Sequence, residues 1–197
     1  MTSLRHKTPP TDAASEDALL DAARAGIVAV GWRRSTLTDV ARRAGVSRMT
    51  LYRRWPDMAT LLADLMAREW GSLVAASGTR TPPGQVAEAV TGMVSALRGN
   101  ELFDKIVHVD PELLLPYLLE RRGRTQNSLL EMLEAAVVEG QREGSVRPGE
   151  PALLARSVLL TAYGFALSAP TMTGPEGPTL DDLDGELRAA LERYLAP

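Results

Sequence analysis

Two short segments with a helical period flank a glycine between residues 36 and 56, and this feature constrains the fold most. The first segment carries apolar residues at three- and four-residue spacing, as on one face of a helix: Leu37, Val40, Ala41 and Ala44. Thr36 precedes it and Asp39 follows three positions later, which is the pattern of a helix N-cap. Gly45 then provides a residue that readily adopts the left-handed conformation. The sequence predicts a short helix and a tight turn.

The second segment, residues 48–55, reads RMTLYRRW. Leu51 and Trp55 lie four residues apart and are predicted to face the core, and Pro56 ends the helix. The positions left for solvent or a partner are mostly polar or basic: Arg48, Met49, Thr50, Tyr52, Arg53 and Arg54. Two short helices around a glycine turn, with a cationic face on the second, are typical of a helix-turn-helix that enters the DNA major groove.

Charge is distributed unevenly along the chain, although its formal net charge is −3. Residues 1–60 hold ten Lys or Arg against six Asp or Glu, whereas the remainder holds twelve against nineteen. A basic N-terminal part followed by an acidic remainder indicates a polyanion-binding segment attached to a soluble domain. This agrees with double-stranded DNA as the partner.

The stretch from Leu19 to Leu65 resembles the DNA-binding domain of the TetR family of bacterial regulators. The matching features are Ala22-Ala23, Gly31-Trp32, Thr36, Val40-Ala41, Ala44-Gly45-Val46-Ser47, Thr50-Leu51-Tyr52, Trp55-Pro56 and Leu61-Leu62. The resemblance implies base contacts from Arg48, Met49 and Thr50, and phosphate contacts from Thr36, Tyr52 and Arg54. The full set of expected DNA-binding residues is Thr36, Thr38, Ser47, Arg48, Met49, Thr50, Tyr52, Arg53 and Arg54.

Two departures from the family pattern concern packing and phosphate contact. Met58 stands at the start of the fourth helix, where the family usually has a lysine that touches phosphate. Gly26 and Ile27 stand in the first helix, where larger apolar or aromatic residues are common. The expected anchor at position 58 is therefore absent, and Arg53 and Arg54 are the candidates to compensate for it.

The whole chain is predicted to be all-α: an N-terminal three-helix helix-turn-helix domain followed by a C-terminal helical bundle. We expect a flexible arm over 1–14, the DNA-binding domain over 15–60 and a regulatory domain over 61–197. Glycine and proline mark a linker over 77–84. Further helices are predicted over 85–98, 101–108, 111–122 with a possible kink at Pro116, 124–143, 151–168 and 181–195.

By resemblance, the regulatory domain would bind a small effector and form a homodimer. The segment from Leu153 to Ala169 is apolar nearly all round, so it must be buried, and it can be covered by a second copy beside the last helix. Candidate effector contacts are Met66, Trp70, Met93, Phe103, His108, Tyr117, Met132, Tyr163 and Phe165. Taken singly, each of these residues is more often ordinary core, and His108 is more often a surface histidine or one with its hydrogen bonds satisfied. The Leu- and Met-rich content favours an apolar ligand.

Several functions are disfavoured by what the chain lacks. It has no cysteine and only two histidines, so thiolate chemistry and a histidine-based metal site are not expected, and neither is a cofactor. The acidic pairs of the C-terminal part have no nucleophile or glycine-rich phosphate loop beside them, so an enzyme is not expected. The N-terminus lacks the apolar stretch of a signal peptide, and no apolar run is expected to span a membrane, which predicts a cytoplasmic protein.

These features predict a ligand-released repressor that acts as a homodimer on a pseudo-palindromic operator. Two alternatives remain at this stage. One is an activator or constitutive architectural DNA-binding protein. The other is a small-molecule-binding or enzymatic helical protein whose basic head no longer binds DNA, which only the residue at Met58 favours.

Overall fold

A computed structural model describes residues 15–76 and 85–197, and within those ranges the chain is helical with no strand. The α-helices are α1 (Glu16–Val30), α2 (Leu37–Ala44), α3 (Arg48–Arg54), α4 (Met58–Ala76), α5 (Val86–Arg98), α6 (Glu101–Val109), α7 (Leu115–Leu119), α8 (Arg124–Glu143), α9 (Pro151–Ser168) and α10 (Leu180–Leu195). Short 3₁₀ turns cover Pro111–Leu113 and Ala169–Met172. The predicted all-α class is confirmed. The predicted arm over 1–14 and the linker over 77–84 lie outside the described residues.

The chain divides into two compact units, Met1–Leu65 and Met66–Pro197. The division falls a few residues after the boundary expected between residues 60 and 61. Helix α4 contributes its first part to the N-terminal unit and its second part to the C-terminal unit.

The N-terminal unit is built on large, fully buried side chains from its helices. Ile27 of α1, Leu51 of α3 and Leu61 of α4 are inaccessible to solvent, as is Trp55 directly after α3. Trp55 also donates a hydrogen bond from Nε1 to Asp64 Oδ2 at 2.8 Å. A buried indole N–H without a partner is costly, so this bond allows Trp55 to be fully buried at the end of α3.

In the C-terminal unit, α5, α8, α9 and α10 surround the main core. Its buried members include Val94, Val137, Val158, Leu187 and Leu191. In an ion pair between α5 and α10, Nη2 of Arg98 donates to both carboxylate oxygens of Asp184, at 2.6 and 2.5 Å, and both side chains are nearly buried. Arg98 also donates to the Phe165 carbonyl of α9. These charge-assisted bonds fix α5 against α9 and α10.

One predicted helix is divided in the structure. The segment expected to be helical over 111–122 forms a 3₁₀ turn, a break at Leu114 and the five-residue helix α7. Pro116 has no N–H to donate to the carbonyl of Glu112, and its ring crowds that carbonyl, so a continuous helix cannot run through this point. The sequence had indicated only a kink.

The expectation that no apolar run could span a membrane needs correction. Pro151–Met172 is long and apolar enough to do so by length and composition, and a third of it is buried. Core helices of soluble proteins meet the same criterion.

Candidate functional site

The N-cap of α2 is a small network around Thr36. The Thr36 hydroxyl accepts from Asp39 N at 3.2 Å and donates to Asp39 Oδ2 at 2.6 Å, while Arg42 Nη2 donates to Asp39 Oδ1 at 2.8 Å. The hydrogen bond from the Thr36 side chain, together with the charge of Arg42, lowers the pKa of Asp39. The carboxylate therefore stays ionised at the positive end of the helix, where a negative charge is stabilising.

The turn between α2 and α3 is held by backbone hydrogen bonds. Gly45 adopts φ = 70° and ψ = 23°, in the left-handed region. The amide of Val46 donates to the Ala41 carbonyl at 3.0 Å, and that of Gly45 to the Arg42 carbonyl at 3.3 Å. This pair of bonds is a Schellman motif, and it lets α3 start soon after α2 ends.

Helix α3 begins at a serine cap. Ser47 Oγ accepts from Thr50 N at 3.1 Å and lies 2.9 Å from Thr50 Oγ1. The Thr50 hydroxyl is therefore engaged in the cap, and the side chain is only half exposed. A base contact from Thr50 would use its methyl group or require this hydrogen bond to be exchanged.

The outward face of α3 carries Arg48, Met49, Tyr52 and Arg53. All four are exposed, Met49 to 77% and Tyr52 to 48%, while Leu51 between them is fully buried. Among the described residues, neither Arg48 nor Arg53 makes an ion pair. A helix with a cationic and partly apolar outward face can meet phosphate oxygens, guanine edges and thymine methyl groups.

Arg54 points back towards α1. Its guanidinium forms an ion pair with Glu16 and lies 5.5 Å from the centroid of the Trp55 ring. A phosphate contact from Arg54 therefore competes with Glu16, a conflict that spacing along the sequence could not reveal.

The remaining expected DNA-binding positions, Thr36 and Thr38, lie at the start of α2. Thr36 is exposed at the start of α2, and Thr38 is half-buried in the first turn of that helix. Met58 is half-buried at the first position of α4, directly after Asp57, which accepts a hydrogen bond from Thr60 N at 2.7 Å. The structure thus has an apolar side chain where the family places a cation.

In the C-terminal unit, an apolar cavity of about 70 Å³ lies between α4, α5, α8 and α9. Four of the nine candidate effector residues line it: Trp70, Met93, Met132 and Tyr163. An open groove of about 590 Å³ lies beside it, and Tyr163 and Leu159 line both spaces. Tyr117 lines the groove.

The other four candidates lie elsewhere. Phe103 is in the main core, and Phe165 packs against that core. His108 is exposed, and its Nδ1 lies 2.9 Å from the Asp104 carbonyl oxygen. Met66 is half-buried and lines neither space.

Tyr163 has a feature that its position in the sequence did not signal. Its hydroxyl is buried and has no hydrogen-bond partner among the described residues. Burial raises the pKa of Tyr163, and a hydrogen-bonding approach of the Gln126 side chain offsets part of that rise. Gln126 accepts from Gly123 N and donates one of its two amide N–H groups to the Tyr117 carbonyl, so its second N–H can face the Tyr163 oxygen while the hydroxyl proton is left without an acceptor among the described residues. A buried unpaired hydroxyl is costly, so a partner supplied from outside the chain would be stabilising.

Comparison with known proteins agrees with this geometry. Residues 19–65 match the family described as bacterial regulatory proteins of the tetR family. An uncharacterised HTH-type transcriptional regulator of Mycobacterium bovis is 39% identical over 184 residues, covering 90% of this chain and 92% of its own length. The relationship thus extends over both units.

Solved structures show the same fold. A TetR transcription regulator from Haloarcula marismortui superposes with a TM-score of 0.66 at 16% identity, covering 91% of this chain and 95% of its own. The regulator FadR from Bacillus subtilis, in complex with stearoyl-CoA, gives 0.65 at 17% identity and covers 92% and 100%. With its helix-turn-helix, its helical C-terminal unit and a full-length relative of the same kind, the chain belongs to the TetR family of DNA-binding transcriptional regulators, which are not enzymes.

Proposed function

We propose that this regulator is a homodimeric repressor that binds a pseudo-palindromic operator and leaves it when a small effector binds. The observation that carries the proposal is the outward face of α3. Its exposed arginines Arg48 and Arg53 make no ion pair among the described residues, and the Gly45 turn holds the helix in place. Such a helix enters the major groove, while the N-terminus of α2 lies against the DNA backbone.

The side chains are assigned two kinds of contact. Arg48 and Met49 would contact base edges, with Thr50 beside them, because these residues occupy the first turn of the recognition helix. Phosphate contacts are assigned to Thr36, Tyr52 and Arg53, with Arg54 contributing once it releases Glu16. Thr38 and Ser47 lie beside the backbone N–H groups at the starts of α2 and α3, and these N–H groups would contact phosphates.

Dimerisation is supported by an apolar stripe on α9. Leu153 and Leu160 are 60% and 69% exposed, and the small residues Ser157 and Gly164 lie on the same face. A Cβ added to Gly164 would meet nothing within 4 Å, so a second helix can approach closely there. A second copy packing α9 and α10 against this stripe would bury it around a two-fold axis. The same covering explains the apolar character of α9 in a soluble, cytoplasmic protein.

An effector site is supported by the cavity beside Tyr163. The FadR structure with the same fold was solved with stearoyl-CoA, a ligand with a long apolar chain. In this chain the lining from Trp70, Met93 and Met132 is likewise apolar. An effector that binds one arrangement of the helices better than another would shift the population of dimers away from the DNA-binding state.

The test begins with selection of bound fragments from the source genome by the full-length chain. We expect enrichment of a pseudo-palindrome whose half-sites are about one helical turn apart, roughly 34–36 Å. Two protomers should bind per site, and the affinity should fall steeply with salt. A reporter on the neighbouring promoter should show repression. Failure to enrich any site, or binding as a monomer, would refute the proposal, and activation of the reporter would refute the repressor role.

A further inference from the structure

The groove beside the apolar cavity is rich in arginine. Arg121 and Arg122 follow α7, and Arg156 lies on α9, and all three line the groove together with one acid, Glu120. Among the described residues, none of the three forms an ion pair with a carboxylate. Arg121 stacks over Tyr117 at 5.4 Å, Arg122 donates to Asn127, and Arg156 donates to the Ala152 carbonyl. The groove therefore carries an excess of positive charge that is available to an anion.

The two spaces differ sharply in chemistry and meet at one side chain. The cavity is lined by apolar residues such as Val90, Leu129 and Ala162, whereas the groove is cationic and open in the single chain. Its Leu160 edge belongs to the α9 stripe that the proposed second copy covers, so a head group in the groove would lie beside the dimer interface. Tyr163 lines both, and its buried hydroxyl has no partner among the described residues. A ligand that satisfies all three features has an apolar part, an oxygen beside it and a negative charge at the outer end.

We propose that the effector is an anionic amphiphile, with its tail in the apolar cavity, its carboxylate or phosphate head among Arg121, Arg122 and Arg156, and an oxygen accepting from Tyr163 Oη. This deepens the proposed function, on which its regulatory meaning rests, by naming the ligand class of the effector site.

The small size of the cavity links binding to movement. An apolar cavity of about 150 Å³ holds a single benzene molecule, so a cavity of about 70 Å³ is too small for a long alkyl tail. An alkyl tail needs several times this space, so the walls must separate when it enters. Met93 and Met132 supply flexible, unbranched lining that can move first. The Arg98–Asp184 pair holds α5 to α10, so the displacement is expected on the α8 side.

The experiment uses the full-length chain and four probes with the same twelve-carbon tail, each kept below its micelle concentration. These are dodecanoate, dodecyl phosphate, dodecanol and dodecylamine, with binding measured by calorimetry. We expect the two anions to bind about tenfold more tightly than the alcohol, and the amine to bind most weakly. The comparison of dodecanoate with dodecyl phosphate tells which head group the arginines prefer.

Variants separate the contributions of head and tail. Arg156→Gln should weaken dodecanoate binding about fivefold and leave dodecanol unchanged, whereas Arg193→Gln, an exposed arginine of α10 outside the groove, should change neither. Tyr163→Phe should weaken both the acid and the alcohol, since either offers an oxygen to the hydroxyl. Ala162→Leu, which fills the cavity, should weaken all four probes, and the thermal unfolding of each variant reports whether it is folded.

Equal affinity for dodecanoate and dodecanol would overturn the proposal, as would an Arg156→Gln variant that behaves like Arg193→Gln. Operator binding is measured separately, so the two proposals can fail independently. A chain that binds its operator but does not prefer anions refutes the ligand class alone. A chain that binds dodecanoate but no operator refutes the proposed function and leaves the ligand site standing.

Discussion

At the residue scale, the structure separates the exposed side chains of α3 that make no ion pair with any described residue from those already engaged within the N-terminal unit. Arg48 and Arg53 are both exposed on α3 and make no ion pair among the described residues, but they occupy different turns of the helix. Arg54 and Thr50 already have partners within the unit, Glu16 and Ser47. Comparing substitutions of Arg48 and Arg53 is therefore the most direct test of which arginine contacts bases and which contacts phosphates.

We predict that Arg48→Ala costs roughly 1–3 kcal/mol of operator affinity and relaxes the preference at one base pair. Arg53→Ala should weaken binding by a similar amount on all sequences and reduce the salt slope by about 1. Competition binding with a set of single-base operator variants measures both effects. Sequence-independent losses for both variants would refute the role assigned to Arg48.

A second residue-scale prediction concerns Met58. This side chain is half-buried at the start of α4, where the family usually has a lysine. Met58→Lys should raise operator affinity, and the salt dependence should steepen by about 0.9 for one added phosphate contact. Met58→Gln serves as the uncharged control. An unchanged salt slope in the lysine variant would mean that position 58 does not reach the backbone of the DNA.

At the scale of elements, the helix-turn-helix depends on one backbone conformation. Gly45 has a positive φ, and a Cβ placed there would meet nothing within 4 Å. Gly26 lies inside α1 of the same unit, where a Cβ would make only an ordinary contact with Arg43. Because neither site is crowded, a glycine-to-alanine substitution at both compares a position where the backbone conformation disfavours a Cβ with one where it does not.

Gly45→Ala should destabilise the fold by roughly 1–2 kcal/mol, because a left-handed conformation disfavours a Cβ. Gly26→Ala should instead stabilise it by up to about 1 kcal/mol, because alanine is the better helix former. Urea unfolding followed by circular dichroism measures both. If Gly45→Ala were as stable as the unsubstituted chain, the left-handed turn would not be a requirement.

The N-caps also predict a response to acid. Hydrogen bonds from Thr60 lower the pKa of Asp57 below its ordinary value of 3.8. The unfolded chain therefore takes up the proton first, so the stability from this cap is present above that value and is lost as pH falls through the folded pKa. Asp57→Asn keeps the hydrogen-bond acceptor and removes the charge. The stability advantage of the unsubstituted chain over this variant should shrink as the pH of urea titrations is lowered from neutral, and a growing advantage would contradict the assignment.

Elements with local signals were predictable, and elements that depend on distant packing were not. The bounds of α1, α2 and α3 follow from Ser15, Thr36, Gly45 and Ser47, whose caps act within a few residues. The Trp55–Asp64 bond and the Arg54–Glu16 pair join residues that no spacing rule connects. For the same reason, the sequence named nine effector candidates but could not tell which four line one cavity.

At the scale of the whole molecule, the proposed dimer depends on the apolar stripe on α9. Leu160 is its most exposed large residue. Leu160→Glu should convert the dimer to a monomer in sedimentation experiments and abolish cooperative binding to the two half-sites. Val138→Glu makes the same change at an exposed apolar position of α8 and should leave the dimer intact. A Leu160→Glu chain that still sediments as a dimer would move the interface away from α9.

The α9 stripe also has a genetic consequence. If the protomers dimerise through α9, which lies far along the chain from α3, a subunit with a defective recognition helix still dimerises normally. Such subunits would sequester intact ones in mixed dimers that hold only one half-site. An allele carrying Arg48→Ala is then expected to be dominant over the intact gene in the same cell, and adding Leu160→Glu to that allele should make it recessive.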